Sequence, residues 1–167
     1  MNSRSNGFDV GIRPAWGFTL VELMVVIAMV AILSAIAAPN FTSFIGTMNS
    51  KAASMDLIGD LAFARSESLK RNASASIVPL GSTWNSGWEV RLGTVVLRNR
   101  SELKSGLTIN APSAGIVFLS NGRVSVANAD VDTSNLAWTI TSSVSGVPQR
   151  CVVMLPSGSA RAKMGAC

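Results

Sequence analysis

The 167-residue chain contains no histidine, only two cysteines, and only 14% charged residues. Each shortage excludes something. Without histidine there is no serine–histidine triad and no imidazole general base. Two cysteines with no histidine cannot supply the usual four-ligand zinc site. Gly-rich phosphate loops are missing, and the many serines have no convincing basic partner. Asp130 and Asp132 sit in a polar stretch and read as a solvated turn rather than a calcium site. No catalytic residue, metal or cofactor is therefore expected, and the chain does not read as an enzyme.

What is present is apolar. Hydrophobic residues make up 48% of the chain, and the surplus lies in Phe18–Ala38. Those 21 residues would rise roughly 31 Å as a helix, enough to cross a bilayer core. Met1–Gly17 is a short polar leader with Arg4 and Arg13. Basic residues ahead of a span hold that end in the cytoplasm, so the remainder faces outward. The apolar run has three possible fates: a cut after the small residues Ala35–Ala37, an uncleaved anchor, or a cut after Gly17. Glu22 bears on the choice. A carboxylate inside a span costs about 2.5–3.5 kcal/mol on insertion scales and usually has a functional partner. A plain signal sequence gains nothing from one.

Beyond Pro39 the pattern becomes amphipathic. Phe41, Phe44, Ile45, Met48, Ala52, Met55, Leu61, Ala62, Arg65 and Leu69 recur at three- and four-residue steps. The spacing predicts a helix packing that stripe on its own domain, with Asp56, Asp60, Glu67, Lys70 and Arg71 mostly off it. After Asn72 the character changes to strands. Trp88, Val90 and Leu92 alternate with Glu89 and Arg91, and Asn121-Gly122 marks a hairpin tip. Six to eight antiparallel strands are expected, making the fold class α+β: a long N-terminal helix on a small antiparallel sheet domain. The predicted divisions are 1–17 (leader), 18–38 (span), 39–72 (amphipathic half-helix) and 73–167 (β-rich domain).

Formal charge is +5, and from Arg150 onward Arg150, Arg161 and Lys163 meet no acid. Clustered on one face, these three would favour a polyanion such as DNA. With an export signal, Cys151 and Cys167 read as a disulfide in an oxidising compartment; the alternative is two unpaired thiols.

"GFTLVELMVVIAMVAILSAIAAPNF" at 17–41 resembles the N-terminal signal of type IV pilins and type II secretion pseudopilins. Gly17, Phe18, Thr19, Leu20, Val21 and Glu22 match its G-F-T-L-[IV]-E pattern, and Pro39 its helix-breaking proline. The resemblance implies cleavage by a prepilin peptidase between Gly17 and Phe18, then N-methylation of Phe18. It also implies a single-pass inner-membrane subunit with a periplasmic C-terminal domain, later packed with other pilin subunits into a pilus or pseudopilus. Glu22 would neutralise the Phe18 amine of an adjacent subunit. "DLAFARSE" (60–67), "VFLSNGRV" (117–124) and Pro156-Ser157-Gly158 resemble stretches of GspH/FimT/FimU-type minor pilins. FimT-like members are associated with DNA through a basic "GR.R" stretch; here Ser159 follows Gly158, and only Arg161 matches, with Lys163 beyond it.

Overall fold

The computed structural model describes residues 17–111, 115–126 and 136–167, with side chains left out at 36–40 and 126. Arg4, Arg13, Asp130, Asp132 and the Ala37 end of the alternative cleavage site lie outside that description, as does the side chain of Pro39. The structure divides into two compact units, residues 1–38 and 39–167. Helix α1 is Leu20–Arg71. In the first unit its described side chains, Leu20 to Ala35, are all exposed in the single chain. Among the described residues no helix is long and apolar enough to cross a membrane.

Both ends of α1 are written in local sequence. Thr19 precedes it as cap. At the other end Asn72 adopts φ 49°, a conformation Asn tolerates better than most residues. Ala73 N–H then donates to the Ser68 carbonyl at 3.2 Å and Asn72 N–H to the Leu69 carbonyl at 3.4 Å. This paired closure satisfies two of the last helical carbonyls and stops the helix.

The second unit holds nine strands among its described residues: β1 (Ala75–Pro79), β2 (Trp88–Leu92), β3 (Val95–Arg100), β4 (Leu107–Asn110), β5 (Ile116–Phe118), β6 (Val124–Val126), β7 (Leu136–Ser142), β8 (Arg150–Met154) and β9 (Ala160–Met164). They form two antiparallel sheets, ordered β3-β2-β1-β5-β6 and β4-β7-β8-β9. The count is one above the expected six to eight; β5 and β6 pair across the Asn121-Gly122 tip read from the sequence, and β8 and β9 across the turn at Pro156–Ser159. One core serves both sheets and the helix, through Leu57, Leu61 and Ala64 of α1, Ile77, Val90, Ile116 and Phe118 of one sheet, and Leu136, Trp138, Ile140 and Val152 of the other. Trp84, from a short 3-10 turn, stacks edge-on against Trp138 with ring centroids 5.6 Å apart.

The helix face in the core differs from the predicted stripe. Leu61 is buried as expected, but Phe41, Phe44, Met48, Met55 and Leu69 are exposed. The buried face is instead Ser50, Ala53, Ser54, Leu57, Asp60, Leu61, Ala64, Glu67 and Ser68. Small residues let the rest of the domain, including the loop between β7 and β8, approach the helix closely. A Cβ built on Gly46 would sit 2.7 Å from Val147 Cγ2. Hydrophobicity alone could not locate this face, because apart from Leu57 and Leu61 its residues are small or polar.

Candidate assembly and binding site

At the N-terminus, Thr19 and Glu22 form a capping box. Thr19 N–H and Thr19 Oγ1 each donate to Glu22 Oε2 at 3.0 Å, and Glu22 N–H donates to Thr19 Oγ1 at 3.2 Å. The T-x-x-E spacing does this because the N-cap hydroxyl and the third helical residue face each other across the first turn. Glu22 thus has a local task that the sequence reading missed, although its signature is four residues long. Both bonds from Thr19 fall on Oε2.

In the second unit the most demanding side chain is Asp60, which is 1% exposed. Trp88 Nε1 and Arg100 Nε donate to its Oδ2 at 2.9 Å each, and Arg98 Nη1 donates to Oδ1 at 2.7 Å. Arg98 also lies 4.1 Å from the Phe63 ring centroid, and Arg100 reaches Asp56 at 3.1 Å. Arg98 and Arg100 are two apart on β3, so both point to the same side, where α1 holds Asp60. Burial pushes the Asp60 carboxyl up, but the donors Arg100, Arg98 and Trp88 outweigh it and hold the group below the usual aspartate range. The same pairing raises Arg100 further. This network latches the edge strand β3 to the helix. Sequence placed Asp60 off the buried stripe and gave no sign of it.

The stretches around 60–67, 117–124 and 156–158 converge in space. Leu119-Ser-Asn-Gly122-Arg123 and Leu155-Pro-Ser-Gly158-Ser159 form turns of the same hydrogen-bond pattern. In each, the leucine N–H donates to the carbonyl four residues on at 2.9 Å, and the glycine N–H returns to the leucine carbonyl at 2.7 and 2.8 Å. The glycines have φ 73° and 84°. The turns lie side by side, with Val124 N–H donating to the Pro156 carbonyl at 3.4 Å. Arg65 clamps them by donating from Nε to the Gly122 carbonyl at 3.2 Å. A Cβ on Gly158 would overlap that carbonyl and come 3.0 Å from Arg65 Nε. One arginine therefore bonds the helix to the turn of one sheet and lies against the turn of the other.

The C-terminal cations are only partly brought together. In the β8–β9 pairing, Val153 faces Arg161 and Cys151 faces Lys163, so Arg161 and Lys163 share the face turned away from the core. Arg150 is in register with Met164 and with Ile140 and lies on the core face with Val152. Its Nε is buried without a hydrogen-bond partner among the described residues. The expected three-residue patch thus reduces to Arg161 and Lys163, because strand alternation sends Arg150 to the other side. Cys151 and Cys167 are joined as a disulfide with Cα atoms 5.1 Å apart. Cys151 is fully buried, so the bond ties the last residues to β8. Closing a loop of about this size contributes about 3 kcal/mol on the chain-entropy model.

Residues 53–158 match the family model described as Type II transport protein GspH. The chain belongs to the GspH family. Residues 17–38 match the prokaryotic N-terminal methylation motif. Fimbrial protein Q of Moraxella bovis is 31% identical over 153 residues, covering 85% of this chain and 95% of that protein. Among solved structures, the type IV minor pilin FimU of Pseudomonas aeruginosa aligns with a TM-score of 0.56 at 20% identity, over 68% of this chain and 87% of FimU. The minor pseudopilin EpsH from the Type 2 Secretion System of Vibrio cholerae aligns at 0.53 with 14% identity, over 70% of this chain and 97% of EpsH. At those identities both establish the fold alone. The family, the motif and the fold make the chain a minor pilin or pseudopilin, a structural subunit of the α+β pilin fold. It assembles with other pilin-like subunits and is anchored at the inner membrane.

Proposed function

We propose that the chain is a minor subunit of a type IV pilus rather than of a secretion pseudopilus. The observation carrying this is the fimbrial relative, matched over nearly its whole length. A prepilin peptidase cuts between Gly17 and Phe18 on the cytoplasmic side, and Phe18 is then N-methylated. Because the cut falls ahead of the apolar run, Phe18–Ala38 stays in the membrane as a single-pass anchor, with residues 39–167 in the periplasm. On assembly that run leaves the bilayer for the filament interior, where the new Phe18 amine needs a counter-charge. Glu22 of an adjacent subunit supplies it through Oε1 while Oε2 keeps its bonds to Thr19. Losing one partner of such a buried pair costs about 3–5 kcal/mol, so the pair sets register. The test is sheared pili probed for the subunit, with intact mass of the mature chain. A methylated Phe18 start in the pilus fraction is expected. A chain starting at Ala38, or absent from pili while present on pseudopili, would refute the reading.

Glu22→Ala separates the two roles of this residue. Loss of the capping box costs about 0.5–2 kcal/mol of local helix stability and leaves insertion and processing intact. Incorporation into sheared pili should fall at least tenfold, about the effect of 1.4 kcal/mol or more in one contact. Wild-type incorporation would remove Glu22 from assembly.

A second reading rests on Arg161 and Lys163, which are exposed on one face of β9 and carry no ion pair among the described residues. They are a weak contact for DNA phosphates. In a gel-shift titration, Arg161→Ala/Lys163→Ala should lower affinity and flatten the salt slope by about 2 units. Arg150→Ala should leave both unchanged, since it faces the core. Equal affinity of wild type and the double variant would end this reading.

A further inference from the structure

Strand β9 ends its sheet and leaves a hydrogen-bonding edge open. Among the described residues it has one neighbour, β8. The register tells which of its backbone groups that neighbour uses. Leu155 N–H donates to the Ser159 carbonyl at 2.9 Å, and Gly165 N–H to the Gln149 carbonyl at 2.8 Å. Bonded and non-bonded pairs alternate along an antiparallel ladder, so Val153–Arg161 and Cys151–Lys163 are the bonded pairs in between. Arg161 and Lys163 therefore turn their N–H and C=O groups to β8. Ala160, Ala162 and Met164 turn theirs outward from the sheet. The edge is guarded by charge alone. β9 holds no proline and its pairing with β8 has no bulge, but Arg161 and Lys163 stand on its outer face.

The two faces of this edge select different side chains. Arg161 and Lys163 are exposed and two residues apart, so a strand laid along β9 puts every second side chain beside them. Acids suit those positions, because opposite charges attract across a strand pair and like charges repel. The same repulsion disfavours pairing with β9 of a second copy, which would set Arg161 against Lys163. On the other face stand Ala160, Ala162 and Met164, of which Met164 is 67% exposed. A cleft of about 360 Å³ opens at the start of β9, between Ser159 and Ala160 on one side and Ile58, Ala62 and Leu69 of α1 on the other, with Arg65 in its wall. Ala160 packs on the core, so the cleft lies on the inner side of the edge. Side chains of an added strand that point inward meet this mostly apolar lining.

We propose that the β9 edge binds an extended segment of another protein by strand addition, and that the segment alternates acidic and apolar side chains. The open N–H and C=O groups supply the attachment, and the two cations and the cleft supply the selection. The proposal rests on the fold and not on the choice between pilus and pseudopilus. The test takes the full-length protein in detergent micelles and a synthetic probe of sequence Thr-Val-Glu-Val-Glu-Val-Thr, with amide exchange read residue by residue by NMR. At about ten times the half-saturating probe concentration, Ala162 and Met164 should exchange about tenfold more slowly. Arg161 and Lys163, already bonded to β8, should change little. Ala162→Pro removes an outward N–H and none that β8 uses, so probe affinity should fall about tenfold. The Cys151–Cys167 bond should still form in that variant, as a check on folding. Arg161→Glu/Lys163→Glu should reject the probe and take instead the same peptide with lysine in place of glutamate.

A probe that does not bind, or that protects Arg161 as much as Ala162, would overturn the proposal. So would full affinity in a correctly bonded Ala162→Pro, or equal affinity for a peptide of the same composition with its two glutamates adjacent. If Ala162→Pro fails to form its disulfide, the charge exchange decides: a double variant that keeps the acidic probe, or ignores the lysine one, ends the reading.

Discussion

Asp60→Ala should destabilise the second unit by about 3–5 kcal/mol, the cost of stranding partners of a buried charge. The change removes the acceptor for Trp88 Nε1 and for two guanidiniums at once, while Arg98 and Arg100 stay on the same side of β3. A urea titration should show the midpoint falling at nearly constant slope. Asp60→Asn keeps the shape and one acceptor oxygen, so it should cost less. If each arginine acts through Asp60, combining Asp60→Ala with Arg100→Leu should cost clearly less than the two singles added.

The pH dependence has a definite sign. The folded-state value of Asp60 is depressed below that of a free aspartate, about 3.9. Its contribution is therefore complete above about pH 4. It is lost as acid carries the pH down through the folded value. Wild type and Asp60→Ala should differ by a constant amount from pH 5 to 8 and converge below about pH 4. A difference unchanged at pH 2.5 would show that Asp60 acts through shape alone.

Gly158→Ala is the second large effect. A side chain at φ 84° costs about 1–3 kcal/mol by itself. The new methyl must also displace the Gly122 carbonyl, to which Arg65 donates, and overpacking adds about 1–3 kcal/mol. Gly93→Ala is the control. Gly93 also has positive φ, 60°, but nothing lies within 4 Å of its built Cβ, so only the conformational cost of about 1–2 kcal/mol applies. Thermal unfolding should rank Gly158→Ala well below Gly93→Ala. Equal midpoints would mean that the twin turns yield easily and that Arg65 is no clamp.

The alternation of Trp88 and Val90, the Asn121-Gly122 tip, the T-x-x-E start and the cysteine pair are each contained within a few residues. The backbone's own geometry makes such patterns readable without knowing what lies opposite. The N-terminal methylation motif belongs to this class, since its match from Gly17 onward is a short local string of residues. The buried face of α1 could not be read this way. Phe41, Phe44, Met48, Met55 and Leu69 point to solvent, while Ser50, Ser54, Asp60, Glu67 and Ser68 are inside. A hydrophobic pattern reports that a helix has two faces, but here the face packed on the sheets is mostly the small and polar one.

Which face goes to which was decided by long-range geometry. Asp60 can be buried only because Arg98 and Arg100 arrive from a strand some forty residues away, as the separations of 38 and 40 show. Arg65 finds its acceptor 57 residues on. Arg150 is withheld from Arg161 and Lys163 by strand register alone. By itself the sequence determined where the helix begins, how the strands alternate and which cysteines pair. The tertiary structure decided which polar groups are buried and which apolar stripe stays open. Those outcomes depend on partners brought close by folding, and a charge or a methyl group carries no record of its distant neighbours.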